Sequence, residues 1–514
     1  GASKARIRIR QHPRNRGKAA PFVLDDVRFR TATEPEYMRA YKAWRERYPE
    51  RDLSPRPTDG QNLALTIEKL EKGFDPERPF LIWAIGSSYT NMLGMGDTVR
   101  QTIYNRFGFE PEIVYKKHVG AAVPWKYIRG WYHHQVQADQ PDLIQIYTIG
   151  NPDDLETLLR DIRKTSTADI IVPSIHWRIR DQKNWGKTEN AVDQDVSKVR
   201  AICKKYGAEF VESRREWAEN MVQHNMKVEV DAEKELLKDN VHQSDYGALI
   251  INENIARHFA HPKEFNYNPR ERERRLNAAE PKSIRPNEKV VADNDWKKDG
   301  NRLVTSKKGA EIAVTFQGNR IDLIGLTATG GGDVDVFIDG KPASEAPGFF
   351  KTAIVPGSKN NQFGRGLKGD RAPHGIELGS DVIPQEWTIR MIDNQGRYEL
   401  VGSVTGKDGE GLQTEDFTSA SGQIVVPAAL WRNAGPKRRG KHKGEFENRK
   451  GDTFTFEVVR ASTAGVTFDG EKDKPFRVML AGALPNERHT LKIVARGNGP
   501  VTVEAFDVFE PPLK

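Results

Sequence analysis

The chain has 514 residues, of which 30% are charged and 37% hydrophobic, and its formal net charge is +8. That length exceeds a usual single core, so two or three domains are expected, and no apolar run is long enough to cross a bilayer. The lone cysteine, Cys203, excludes an internal disulfide framework and a cysteine-based zinc site; its setting, "VRAICKKYGAEF", predicts a buried thiol on the inner face of a helix.

Residues 1–75 are basic and proline-rich, with one helical stretch around "PEYMRAYKAWRERYP", and are expected to pack as an extension on the domain that begins at residue 76. Positive charge gathers there, in "KARIRIRQHPRNRGK", and again in "PKRRGKHKG", Pro436–Gly444. Such runs attract polyanions, but neither shows the aromatic interleaving of a nucleic-acid module, so no nucleic-acid partner is expected.

From Phe80 the pattern becomes an alternation of strands and helices. "FLIWAIG" and "DLIQIYTIG" are continuous apolar runs closed by glycine, and "PEIVYKKHVG", "ADIIVPSIHW" and "AEFVES" read as three more strands. Amphipathic stretches at Thr90–Phe107, Asp153–Thr165, Asn190–Tyr206 and Ser244–Phe259 lie between or after them. The alternation predicts a mostly parallel sheet covered on both faces, with its ligand crevice at the carboxyl ends of the strands.

Residues 263–290 read as a charged, proline-marked linker. From 291 to 514 short alternating strands such as "AEIAVTF", "VDVFIDG", "EWTIRMID" and "HTLKIVA" are separated by Gly, Asn and Asp, which predicts an all-β sandwich, with 347–455 as an insertion in it. In that insertion Trp387, Tyr398 and Trp431 are either core or platforms for sugar rings. "TATGGGDVD" is glycine-rich but lies between strands, so it is no phosphate loop.

The candidate chemistry starts at "GSS", Gly86–Ser88, where a central strand should end and a helix begin. A serine there puts its hydroxyl at the crevice and its backbone N–H where it can stabilise negative charge, although serine is also an ordinary helix cap. Asp239 and His242 stand three apart directly before a helix. In that arrangement the carboxylate can hold one imidazole nitrogen while the other takes a serine proton. Gly120 and Asn151, at the ends of the second and third strands, offer a backbone N–H and a carboxamide; with the N–H of Ser88 they would make a three-donor oxyanion hole. Two basic-aromatic stretches are candidates either for substrate contact or for packing: His176, Trp177 and Arg178 with Trp185, and the segment that contains Trp125. His133 and His134 make a poor metal motif because adjacent side chains diverge, so no metal site is expected.

The order Ser88, Gly120, Asn151, then Asp239-x-x-His242, spread over Pro79–His261, resembles the SGNH hydrolases, the GDSL-like esterase and lipase superfamily. The resemblance implies a flavodoxin-like three-layer α/β/α sandwich over residues 76–262. By it Ser88 is the nucleophile, His242 the base and Asp239 its partner, Ser88, Gly120 and Asn151 form the oxyanion hole, and no cofactor is needed. The family's first block usually reads Gly-Asp-Ser; here Ser87 replaces the aspartate, which leaves two adjacent hydroxyls with Ser88 in register. The third block usually reads Gly-x-Asn-Asp, whereas Asn151 directly follows Gly150 and precedes Pro152. The late strands resemble a galactose-binding-like jelly roll of the kind attached to carbohydrate-active enzymes.

Together these resemblances imply a serine esterase that removes acyl groups, acetyl first, from a polysaccharide or oligosaccharide, with an acidic polymer suiting the positive charge. A secreted or periplasmic location, with the leader already removed, goes with that reading. Two others stand beside it: a glycosidase or polysaccharide lyase using Asp153 and Asp154, and a carbohydrate-binding protein whose hydrolase site has decayed.

Overall fold

The computed structural model describes residues 36–72, 78–107, 113–120, 123–185, 191–226, 235–354, 372–431, 434–437 and 443–514. The first basic run and residues 438–442 of the second lie outside them. The described residues fall into two units, one that ends at Arg47 and holds helix α1 (Glu36–Arg45) and one that begins at Tyr48.

In the larger unit helix α2 (Ala64–Lys72) precedes five strands: β1 (Phe80–Ser87), β2 (Ile113–Gly120), β3 (Leu143–Tyr147), β4 (Asp169–Pro173) and β5 (Glu209–Val211). They form one all-parallel sheet in the order β2-β1-β3-β4-β5, the flavodoxin-like order. Every position of β3 and β4 is buried, as suits largely apolar strands, and Asp169 at the start of β4 is paired with Arg272 at 3.0 Å, whereas edge strand β2 keeps several partly exposed positions. The helices are α3 (Ser88–Met92), α4 (Asp97–Phe107), α5 (Trp125–Trp131), α6 (Gln137–Asp139), α7 (Pro152–Thr165), α8 (Ala191–Lys205), α9 (Ser213–Gln223) and α10 (Asp245–Arg257). Helices α5, α7 and α8 pack together on one face; α2, α4, α9 and α10 form the other layer. Cys203, in α8, is fully buried, and burial pushes its thiol well above the usual range.

One stretch departs from the sequence pattern, and another takes a form that the pattern left open. Thr90–Phe107 is not one helix: the chain breaks between α3 and α4, where Gly94 and Gly96 take φ of +77° and +79°. That backbone conformation interrupts a helix and suits glycine best. The aromatic segment after Gly120 is a helix, α5, with Trp125, Ile128 and Trp131 facing the core.

Beyond the α/β layers two antiparallel sheets close on one core that includes Ile312, Phe316, Leu323, Val336 and Phe506, forming a β-sandwich. Glu273–Asn277, inside the stretch read as a linker, is a strand of it and pairs with Val501–Phe509. Its buried Arg274 is ion-paired with Glu288, so the apolar alternation is masked by a charge. A further antiparallel sheet, built on Gln385–Met391 and Thr453–Arg460, has its own core, in which Trp387, Tyr398 and Trp431 are at most 2% exposed. These three are packing, not sugar platforms. The same region docks on α5: a Cβ added at Gly130 would lie 2.5 Å from the His374 carbonyl oxygen, and the His374 ring stacks on Trp131 at 5.1 Å.

The α/β layers and the sandwich are joined through Glu273. Its carboxylate meets Lys69 at 2.7 Å and Arg78 at 3.3 Å, and accepts the Thr167 hydroxyl at 2.7 Å. Burial opposes ionisation, but Lys69 and Arg78 outweigh it and hold the pKa at about 2.

Candidate active site

The chain leaves β1 for β2 on one side and later returns to β3 on the other, so the switch point of the sheet, where such folds form their crevice, lies at the ends of β1 and β3. At the end of β1 the turn into α3 is unusually close. A Cβ at Gly86 would lie 2.2 Å from Thr90 Oγ1 and 2.3 Å from the Tyr147 carbonyl oxygen, so no larger residue fits. The Thr90 hydroxyl itself donates to that carbonyl at 2.6 Å, binding α3 to the end of β3.

The two adjacent serines sit in different settings. Ser87 is buried, has extended backbone and caps α3, its Oγ accepting the Tyr89 N–H at 3.3 Å. Ser88 is half-buried, and its Oγ lies 2.7 Å from His242 Nε2.

His242 comes from a tight loop before α10. The Ser244 N–H donates to the Leu236 carbonyl at 2.8 Å and the Lys238 N–H to the His242 carbonyl at 3.0 Å, closing the loop on itself. Gln243 donates to the Tyr89 carbonyl at 2.8 Å, and Ser244 Oγ accepts the Gly247 N–H to start the helix. Within the loop Asp239 Oδ1 accepts the N–H groups of Val241 and His242 at 2.9 and 2.8 Å, while Oδ2 lies 2.7 Å from His242 Nδ1. Partial desolvation of Asp239 opposes its charge, but those two N–H groups and the imidazole hold its pKa down at about 2. An ionised carboxylate can only accept. His242 Nδ1 therefore carries a proton, and in the neutral ring it is the Nε2 lone pair that faces the Ser88 hydroxyl.

Gly120 stands level with Ser87 in the ladder between β1 and β2. Asn151 opens α7, with its Oδ1 accepting the Asp153 N–H at 3.2 Å and its amide NH₂ turned to no described partner. A Cβ at Gly150 would touch Pro124 and Trp125 at 3.1 and 3.2 Å, so the loop carrying Asn151 lies against the loop that comes after β2. Asp153 and Asp154 occupy the first turn of α7, where negative charge suits a helix N-terminus. Being consecutive, they diverge around the helix and form no facing pair.

Three expected substrate contacts are interior residues instead. Trp125 is 5% exposed and belongs to the core beneath α5. Arg178, 4% exposed, forks onto Asp181 at 2.8 and 3.0 Å. His176 is fully buried between Tyr147 and Val241. Trp177 and Trp185 are half-buried with ring centroids 4.9 Å apart, and the Arg214 guanidinium sits 3.6 Å over the Trp177 ring. The side chain of His134 lies outside the described set.

The sequence pattern passed over Tyr89, Tyr147 and Gln243. The signal for Tyr147 is a phenol closing the aliphatic run "LIQIY"; Gln243 has only its place beside His242. Among the described residues no group of three His, Cys, Asp or Glu side chains could hold a metal ion, and no helix is long and apolar enough to cross a membrane.

No family model matches this chain, and no curated protein sequence matches it. Among solved structures it is similar to an acetylxylan esterase of Geobacillus stearothermophilus, at 16% identity and a TM-score of 0.29 over 36% of this chain and 97% of that one. It is also similar to a two-domain esterase active on acetylated mannans, at 10% identity and a TM-score of 0.32 over 90% of this chain and 99% of that one. Similarity at this level determines neither residues nor chemistry.

Proposed function

We propose that this chain is a serine esterase of the SGNH type that removes acyl groups, acetyl first, from a polysaccharide or oligosaccharide. The observation that carries the reading is the unbroken hydrogen-bonded path from Ser88 Oγ through the His242 ring to Asp239, at the crevice edge of a parallel sheet.

Ser88 Oγ attacks the ester carbonyl carbon as His242 Nε2 takes its proton, and Asp239 stabilises the imidazolium that forms. The negative charge arising on the carbonyl oxygen is met by the N–H of Ser88, which as the first residue of α3 has no intrahelical acceptor. The Gly120 N–H and the Asn151 amide are the two further donors in this reading. Collapse of the tetrahedral adduct breaks the ester C–O bond, and the sugar alkoxide leaves with the proton from His242. Water then attacks the acyl-serine, His242 again taking a proton, and releases the carboxylic acid and free Ser88.

A glycan fits what borders the site. The Ile179 N–H donates to the Asn240 carbonyl, so the segment with Trp177, exposed Arg180 and Trp185 lies beside the loop of Asp239 and His242. Half-exposed indole and guanidinium groups suit a sugar ring and an anionic substituent. The decisive measurement is acetate release from a panel of acetylated glycans by wild type and Ser88→Ala. Loss of release in the variant is expected; equal rates would refute the assignment, and shortening of a fully deacetylated chain would favour glycan cleavage.

A further inference from the structure

Below the loop of Asp239 and His242 lies a second imidazole, one that takes no proton from Ser88 and touches neither Ser88 nor Asp239. His176 comes after β4 and has no exposed surface. Its Nε2 lies 2.9 Å from the carbonyl oxygen of Val241, the residue immediately before His242, and its Nδ1 lies 2.6 Å from the Tyr147 hydroxyl at the end of β3. A carbonyl can only accept, so Nε2 carries the proton; Nδ1 of the neutral ring then accepts the Tyr147 O–H.

The ring is thus a rigid strut between the sheet and the loop, and it is built to stay neutral. Burial lowers its pKa to about 3, a direction that the neighbouring Arg178 and Arg214 reinforce and that the Val241 carbonyl and Asp181 oppose. Burial likewise pushes the Tyr147 phenol up, so it remains a donor. Tyr89, edge-on at 5.3 Å, and Trp217, at 5.0 Å, pack the ring on its other sides. Just along the chain the Ile179 N–H holds the Asn240 carbonyl at 3.1 Å. The segment after β4 therefore grips consecutive carbonyls, at Asn240 and Val241, between the acid and the base.

We infer that His176 is a positioning residue for the esterase reaction: through Val241 it sets the height and aim of His242 Nε2 toward Ser88. The inference rests on the esterase reading. A neutral imidazole is suited to the task because it offers a donor and an acceptor on opposite sides of one planar ring, with no charge to desolvate. Phenylalanine keeps the volume and loses both ends. Glutamine keeps an amide donor that can reach a carbonyl.

The test uses 4-nitrophenyl acetate, whose turnover does not depend on which glycan is native, with active sites counted by a fluorophosphonate that labels Ser88. Wild type, Ser88→Ala, His176→Phe, His176→Gln and Tyr147→Phe are compared. His176→Phe is expected to lower kcat per labelled site about 10²-fold, the scale of a small misplacement of a catalytic group, with KM changed less than about twofold. His176→Gln should recover kcat to within about tenfold of wild type, and Tyr147→Phe should lose about five- to tenfold, again in kcat. A merely structural role would lower the number of active sites and the melting temperature while leaving kcat per site unchanged; kcat within twofold of wild type in His176→Phe overturns the inference. If that variant does not fold, Tyr147→Phe decides, and an unchanged kcat there overturns it. Ester turnover that survives in Ser88→Ala defeats the esterase reading itself, and this inference with it.

Discussion

The residues beneath the His242 loop and the sheet inserted in the sandwich both bury aromatic side chains that carry polar atoms, but Tyr147 and His176 are used differently from the rings of that sheet. In the inserted sheet the indole N–H groups of Trp387 and Trp431 and the hydroxyl of Tyr398 make no hydrogen bond with described residues. There the rings supply volume. Near the crevice, Tyr147 and His176 are as deeply buried, yet the phenol and both ring nitrogens are each aimed at a partner. There the rings supply direction. Burial and residue type are alike in the two places; what differs is the partner of the polar atom.

Substitutions can break that contrast. The largest expected effect is at the crevice. Asp239→Asn should keep the loop folded, since the amide oxygen can still accept the N–H groups of Val241 and His242, yet lower kcat about 10⁴-fold by favouring the wrong tautomer of His242. A fall of less than tenfold in steady-state kinetics would detach Asp239 from the chemistry.

Next comes Trp387→Ala. Removing a fully buried indole should cost about 3–5 kcal/mol in the stability of the inserted sheet, read as a lower melting transition, while kcat per folded molecule stays as in wild type. A matching loss of kcat would mean that this sheet acts on the site through the His374–Trp131 stack.

Third is Glu273→Gln at the seam. The carboxylate is depressed from 4.5 to about 2, so its contribution of about 3 kcal/mol is fully present above pH 4.5 and is lost as pH falls toward 2. Wild type and variant should therefore differ in denaturant midpoint at pH 7 and converge near pH 2. A difference that persists at pH 2 would point to lost packing.

Ser87→Ala should have the smallest effect. Loss of the cap on α3 is expected to cost about 1 kcal/mol and to leave kcat within a fewfold of wild type. A collapse of kcat with intact folding would move the nucleophile to Ser87.

Much of the α/β region was legible because its physical signals are local. Apolar runs such as Leu81–Ile85 mark strands covered on both faces, and four of the expected helices appear with shifted or divided ends. The spacing of Asp239 and His242 is also local, a turn that the two backbone N–H groups bonding to Asp239 stabilise. Other features were hidden. The strand Glu273–Asn277 was masked by Arg274, whose charge is cancelled by Glu288, a partner from outside that strand. The helical nature of Trp125–Trp131 was masked by glycine and aromatics that look like a loop until their inward face is seen.

The sequence by itself determined that a parallel sheet would be followed by antiparallel ones, and which residues had chemistry to offer. It could do so because hydrophobic period and side-chain type are written residue by residue. Only the tertiary structure decided that Ser88 rather than Ser87 meets His242, and that Trp125, His176 and Arg178 face inward. Those outcomes depend on where segments far apart in the chain are brought to rest. A 2.7 Å hydrogen bond between positions 154 apart is set by the packing of the layers between them.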